Sequence, residues 1–362
     1  MNRLNVFIYS DMLKYFVPIC NIDKSRILCF RNNNFYSIDS KSNIKNYICK
    51  FNCSFARRLL MNFRFSRRYF GLNSIRGVKV KSNLFFIYYH HHFYILDISK
   101  KQINEIYNRK SYSILHLSSS SIGPLWGEYG YNPSKKPKSI YRYNQSNNKI
   151  ECLYTFEEGW INHIHNVIED KSIGRIYILT GDFDNAAGIY YTDDYFTSVK
   201  PLLVGNQVFR TCFVSPNKGG LVYATDSPTH INSLYFLKDG IINKISEING
   251  SCIFACKYGN YFIGSTTVEN QPSEYYNNRN KYRYNLGHGI KDWNVELFAY
   301  NMNTGDYKVL LKASKDILPM LAFGYGLFII PVLDDEYTGD LLVYGQSVKR
   351  YDQYLMKINI TI

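Results

Sequence analysis

The sequence predicts an all-β chain folded as a single β-propeller of six or seven four-stranded blades, with seven the better count. Three observations predict it. Polar clusters recur at the ends of apolar strands, as Leu179-Thr180-Gly181-Asp182, Ala224-Thr225-Asp226-Ser227 and Ser265-Thr266-Thr267-Val268-Glu269, and their carboxylates stand 44 and 43 residues apart. A propeller blade has such a period, roughly 40–50 residues. The chain carries 34 Tyr and 23 Phe, residues that suit the pleated surface of strands, and sustained helical periodicity is hard to find. Its 362 residues fit one closed ring, and no apolar run reaches the ~18 residues of a membrane span.

The elements follow in order. Residues 1–20 form a lead-in, either a short helix or irregular chain; Asp11 and Lys14 interrupt its apolar stretch, which is unlike a cleaved leader, so the default expectation is a cytoplasmic protein. Residues 26–51 read as strand, Asn-rich turn and strand, with a third strand from Lys41. Residues 54–70 form a basic helical insertion with five arginines and no acid. Ser54 is placed to cap it, and Phe55, Leu59, Leu60 and Phe63 fall on one face. Residues 83–106 make a second blade around a turn at His90-His91-His92, whose consecutive side chains cannot all face one metal from an extended strand. Further units run over 111–157, 160–205, 206–250, 251–313 and 316–348, the sixth carrying a loop insertion at 270–292.

Charge is unevenly placed. Residues 1–110 hold 20 Lys/Arg against 5 Asp/Glu, so the net +14 of the chain lies at its front. Such a field attracts anionic partners. The eight cysteines read as buried free thiols, because Cys49/Cys53 and Cys252/Cys256 lack the CxxC spacing of a zinc pair.

In a propeller, the loop entering each first strand and the loop leaving each second strand open on one face. His163 and His165 sit at the start of a first strand, and Gln207 and Arg210 do so one blade later. Glu128, Asp182, Asp226, Glu269 and Asp334 or Asp335 sit at the ends of second strands. All should surround one funnel. Carboxylates with an arginine and two histidines suit sugar chemistry: Glu128 and Asp182 for acid/base work, His163 and His165 for proton transfer or a divalent metal, and Arg210 for a substrate carboxylate. Gln207, Asp226 and Glu269 would bind hydroxyls. Trp126 and Tyr129 would stack on a sugar ring or fill the channel wall. The plainer alternatives are that the Asp residues are turn formers and the histidines satisfied channel residues.

At these residues the chain resembles the sialidase-like (BNR-repeat, Asp-box) propellers. Tyr191-Thr-Asp-Asp-Tyr-Phe-Thr-Ser-Val199 looks like a degenerate Asp-box, with Thr192 and Asp194 matching and Phe196 in place of Gly. Trp126-Gly-Glu-Tyr129, Asn162-His-Ile-His165, Thr180-Gly-Asp182 and Gln207-x-x-Arg210 look like motifs of a glycosidase-like branch associated with polysaccharide genes. The resemblance covers residues 110–270. It implies a glycoside hydrolase or polysaccharide lyase acting on an anionic glycan, or a non-catalytic propeller that binds a polysaccharide or protein. Sialidases use three arginines; here only Arg210, with Arg142 beside it in the pattern, stands in place, so sialidase activity itself is not implied. Nucleic acid is a weaker partner, since no binding module accompanies the charge.

Overall fold

The computed structural model describes residues 6–7, 13–106, 112–270, 286–358 and 360. They form seven antiparallel blades in a ring, the propeller expected. Blade 1 is Val17–Asn21, Arg26–Arg31, Asn34–Asp39 and Lys45–Lys50; blade 2 is Ile75–Lys81, Leu84–Tyr89, His92–Asp97 and Gln102–Glu105. In blade 3 the innermost strand is reduced to one bridge, Ser118 to Leu125, followed by Leu125–Gly127, Lys138–Asn144 and Lys149–Phe156. Blades 4, 5 and 6 open on His163–Asp170, Thr211–Asn217 and Cys252–Tyr258 and end on Lys200–Val204, Ile241–Glu247 and Tyr307–Ser314. Blade 7 runs Leu327–Ile329, Leu341–Gln346 and Leu355–Ile358, and its outer strand is Val6–Phe7 from the other end of the chain. Val6 pairs with Ile358 and Phe7 with Lys357, which closes the ring.

Two first strands lie upstream of where the pattern suggested. Val17–Asn21 is buried throughout, so it shows no alternation to read, and its proline is tolerated because the register shifts between Pro18 and Cys20. The same shift occurs near the start of the first strands of blades 4, 5 and 6. These bulges turn side chains at the head of each strand.

The aromatic residues fill the wedges between blades. Phe86, Phe93, Tyr112, Trp126, Tyr141 and Tyr143 pack as one cluster between blades 2 and 3, with Phe86 and Tyr143 stacked at 4.8 Å. The Asp-box-like turn joins the outer strands of blade 4. Asp194 accepts from the Ser198 N–H (2.9 Å) and Oγ–H (2.6 Å), and Phe196, standing where the motif has Gly, has φ +73°.

The basic insertion folds as two short helices, Phe55–Leu60 and Arg64–Tyr69. Ser54 caps the first by accepting the Arg57 N–H at 3.3 Å. The apolar stripe does not pack inward, however: Phe55, Leu59 and Phe63 are exposed. Arginines face the ring instead. Arg64 reaches Asp352 at 2.5 Å, Arg68 pairs with Asp316, and Arg67 lies 3.5 Å from the Tyr15 ring centre. The chain of the 270–292 insertion lies outside the described residues over 271–285. No helix among the described residues is long and apolar enough to cross a membrane. All eight cysteines are unpaired, six of them buried.

Candidate functional site

We call upper the face on which first strands begin and second strands end. His163 opens the first strand of blade 4 opposite Gly181, the last residue of the second strand. The bulge that follows places His165 beyond this ladder, so its ring crosses toward blade 5, where Nδ1 lies 3.0 Å from the Thr211 carbonyl. His163 Nδ1 lies 3.1 Å from the Gly130 carbonyl and 3.3 Å from Asp182 Oδ2. The two Nε2 atoms face each other at 3.0 Å. Gly181 is required here, because a Cβ at this residue would stand 2.1 Å from His165 Cε1 and Nε2.

Asp182 leaves the strand with φ +81°, a left-handed conformation that Asp tolerates better than most residues. Its carbonyl accepts from Gln207 Nε2 (2.7 Å) and Arg210 Nη1 (3.2 Å), which hold the turn from the next blade. The Arg210 guanidinium also reaches the carboxylates, Nη2 to Asp182 Oδ1 at 3.1 Å and Nε to Asp226 Oδ2 at 3.6 Å. Ser227 Oγ donates to Gln207 Oε1 at 2.8 Å, fixing the amide. The Tyr129 ring packs 4.3 Å from that of His163. Seven predicted residues thus converge: Tyr129, His163, His165, Asp182, Gln207, Arg210 and Asp226.

Glu269 joins them electrostatically. Burial, and then the charge of Asp226, push its carboxyl up to about 7, against the pull of Arg210 and the hydroxyl of Thr267, 3.0 Å from Oε1. Burial holds His163 below its usual range; His165 falls further, under burial and the neighbouring His163. Burial opposes the Arg210 charge, yet Asp226, Asp182 and Glu269 together keep its proton more firmly held than usual.

Other predicted residues do not reach the cluster. Trp126 is fully enclosed in the wedge between blades 2 and 3, within 4.5 Å of the Phe93 ring centre, so it cannot stack on a ligand. Glu128 turns toward its own sheet and accepts the Ser139 N–H at 2.9 Å and the Tyr141 hydroxyl at 3.4 Å. Arg142 forms an ion pair with Glu151 at 2.8 Å within blade 3. Asp334 and Asp335 precede the second strand of blade 7 rather than follow it, and so lie on the lower face, where they meet Lys79 and Lys257. Conversely, Cys212 was not singled out. Its buried thiol donates to Asp226 Oδ2 at 3.3 Å and lies 3.5 Å from His165 Nδ1. Its place two residues after Arg210, at the head of a first strand, was the available signal.

The donor set can hold a cation. Ligand atoms of His163, His165 and Asp182 lie within 4.8 Å of one another, as do those of His165, Cys212 and Asp226. The histidine pair supplies a physical reason. Carbonyl oxygens only accept, so each Nδ1 must carry its ring's proton. The two Nε2 atoms then present lone pairs to each other at 3.0 Å. A shared proton would relieve this repulsion, but burial disfavours the imidazolium. A divalent ion relieves it without protonation, and imidazole with carboxylate suits such ions.

No family model and no curated protein matches the chain. Solved structures do. The extracellular domain of a one-component system from B. thetaiotaomicron is similar at 11% identity and TM-score 0.55, over 98% of this chain and 39% of that one, so this chain spans about two fifths of its length. An oligogalacturonate lyase in complex with manganese is similar at 10% identity and TM-score 0.53, over 99% and 97% of the two chains. The WD40 propeller domain of Doa1 is similar at 9% identity and TM-score 0.52, over 99% and 97%. These likenesses are of fold alone.

Proposed function

We propose that this protein is a carbohydrate-active propeller that cleaves an acidic glycan at the upper mouth by lyase-type β-elimination, with His163, His165 and Asp182 holding a divalent ion. The observation that carries the reading is the pair of converging imidazole lone pairs beside Asp182 and Arg210. When bound, the ion neutralises a uronate carboxylate and so acidifies the proton on the adjoining carbon. Glu269, with its carboxyl near 7, has a proton affinity suited to taking that proton at neutral pH. As the C–H bond breaks, a C=C bond forms and the glycosidic C–O bond breaks, its oxygen leaving with a proton. Arg210 holds Asp182 and Asp226 in place. Tyr129, packed on His163, forms the wall beside which the sugar would lie.

Hydrolysis fits less well, because Glu128 is committed to Ser139 and Tyr141, so the Glu128–Asp182 pair is not assembled and a hydrolase would have to draw its acid from Glu269. A non-catalytic glycan-binding propeller is the second reading, favoured by the burial of His163 and His165, each 2% exposed. The test is to incubate the full chain with polygalacturonate and manganese and follow the ultraviolet absorption of an unsaturated product, with a chelator and His163→Ala as controls. Metal-dependent absorption is expected. New reducing ends without absorption would establish hydrolysis, and binding without either would establish the scaffold reading.

A further inference from the structure

A second cavity lies below the cluster just described. About 880 Å³ in volume, it occupies the central channel and opens on the lower face, between the loops around Lys171, Lys218, Lys238 and Asp335. Its inner end reaches Asn166 and Cys212, beneath His165.

Arg76 stands in this channel on the first strand of blade 2. Nε donates to the Leu115 carbonyl at 3.1 Å and Nη1 to that of Ile75 at 2.9 Å. The guanidinium carbon lies 5.0 Å from the Phe254 ring centre, so the stem and head are both fixed. No carboxylate lies within ion-pair distance among the described residues. That is unlike Arg210, Arg64 and Arg68, each of which meets two acids. Nη2 makes no hydrogen bond among the described residues. His116 completes the wall, its ring 5.4 Å from Phe254 and its Nε2 without a partner. Burial, followed by the Arg76 charge, pushes that imidazole down to about 3, so it is a neutral neighbour.

A fixed cation in a confined channel with no protein counter-charge costs free energy that a small anion would offset. The mouth carries both signs: Asp334 and Asp335 pair with Lys79 and Lys257, and Glu169, Asp170, Asp239 and Glu336 also line it, while Lys171 and Lys238 stand there without an ion pair among the described residues and would draw an anion inward. The volume is in the range of ligand sites, roughly 300–1,000 Å³.

We propose that the lower channel is an anion-binding site in which Arg76 grips the carboxylate or phosphate of a ligand entering between Lys171 and Lys238. It is separate from the upper cluster, and the proposed lyase activity neither requires nor excludes it. The test is calorimetric titration of the full chain, with a chelator present, with inorganic phosphate and, separately, acetate, at matched ionic strength in chloride. Saturable binding is expected, weakened at least tenfold by Arg76→Met, which keeps the stem over Phe254. The tighter of the two probes identifies phosphate or carboxylate as the preferred group. Absence of saturable binding to both, or equal binding by R76M, would overturn the proposal. Should R76M not fold, bromide-soaked crystals of the unaltered chain decide: an anomalous peak at the guanidinium supports the site, and its absence removes it.

Discussion

Replacing Glu269 by Gln should stabilise the protein at pH 8 and leave it nearly unchanged at pH 4.5. Glu269 is buried and shares the field of Asp226, which holds its proton up to about 7, against an ordinary 4.5. Between these values the folded chain keeps a proton that the unfolded chain has released, so stability falls as pH rises through that window. Below 4.5 both states are protonated and the penalty is absent; above 7 it is complete. A difference of this size corresponds to at most about 3 kcal/mol at ~1.4 kcal/mol per pH unit. Since Arg210 and Asp226 readjust with it, about 1–3 kcal/mol is expected. Gln carries no charge and can still accept from Thr267, so it should recover that amount. Urea denaturation of both proteins at pH 4.5, 6 and 8 measures the difference through the midpoint at constant slope. The reasoning is refuted if Glu269→Gln is less stable than the parent at pH 8, or if the difference between them does not depend on pH. Under the lyase reading, the same stabilised variant should have lost turnover.

Gly181→Ala should cost about 1–3 kcal/mol, because the new Cβ meets the His165 ring at 2.1 Å; a thermal melt with and without manganese should show both the loss and a diminished metal response. Arg210→Met should cost about 3–5 kcal/mol by leaving Asp182 and Asp226 without their cation, read as a fall in the urea midpoint at neutral pH. Manganese at a hundredfold excess over its dissociation constant should stabilise the chain by about 2.7 kcal/mol, an increment that His163→Ala with His165→Ala abolishes in calorimetry.

The ring was legible because Asp182, Asp226 and Glu269 mark one blade position at near-constant spacing. That spacing also located the site, since residues equivalent in successive blades must meet at one mouth. Side-chain direction was not legible in the same way. Trp126 and Glu128 were both assigned to the funnel, and one register fact turns both away: Trp126 pairs with Tyr141, and by strand alternation Glu128 follows it to the same side, where its carboxylate meets the Tyr141 hydroxyl. His163 and His165 share a face by the same alternation, but their contact also needs the bulge after Ile164 and the missing Cβ of Gly181, which no periodicity announces. Asp334 was misplaced because the second strand of blade 7 begins only at Leu341. The two-residue strand Val6–Phe7 is too short to carry a pattern, and only its partner defines it.

The concentration of positive charge in the first 110 residues also acquires a different meaning. From composition it suggested a field that attracts anionic partners. In the fold, Arg64 and Arg68 turn inward to Asp316 and Asp352, and Arg67 is buried against Tyr15. Much of the charge of the insertion is therefore matched within the ring, pinning the helices over blade 7 while their aromatic side chains face outward. Other cations of the same region, Arg76, Lys79 and Lys81, line the lower channel, and among the described residues Lys79 alone of the three meets an acid, Asp334. The two mouths thus differ in what stands at their centre. The upper one gathers Asp182, Asp226 and Glu269 around a single arginine and calls for a cation, whereas the lower one sets Arg76, with no acid partner among the described residues, behind a rim of mixed charge and calls for an anion.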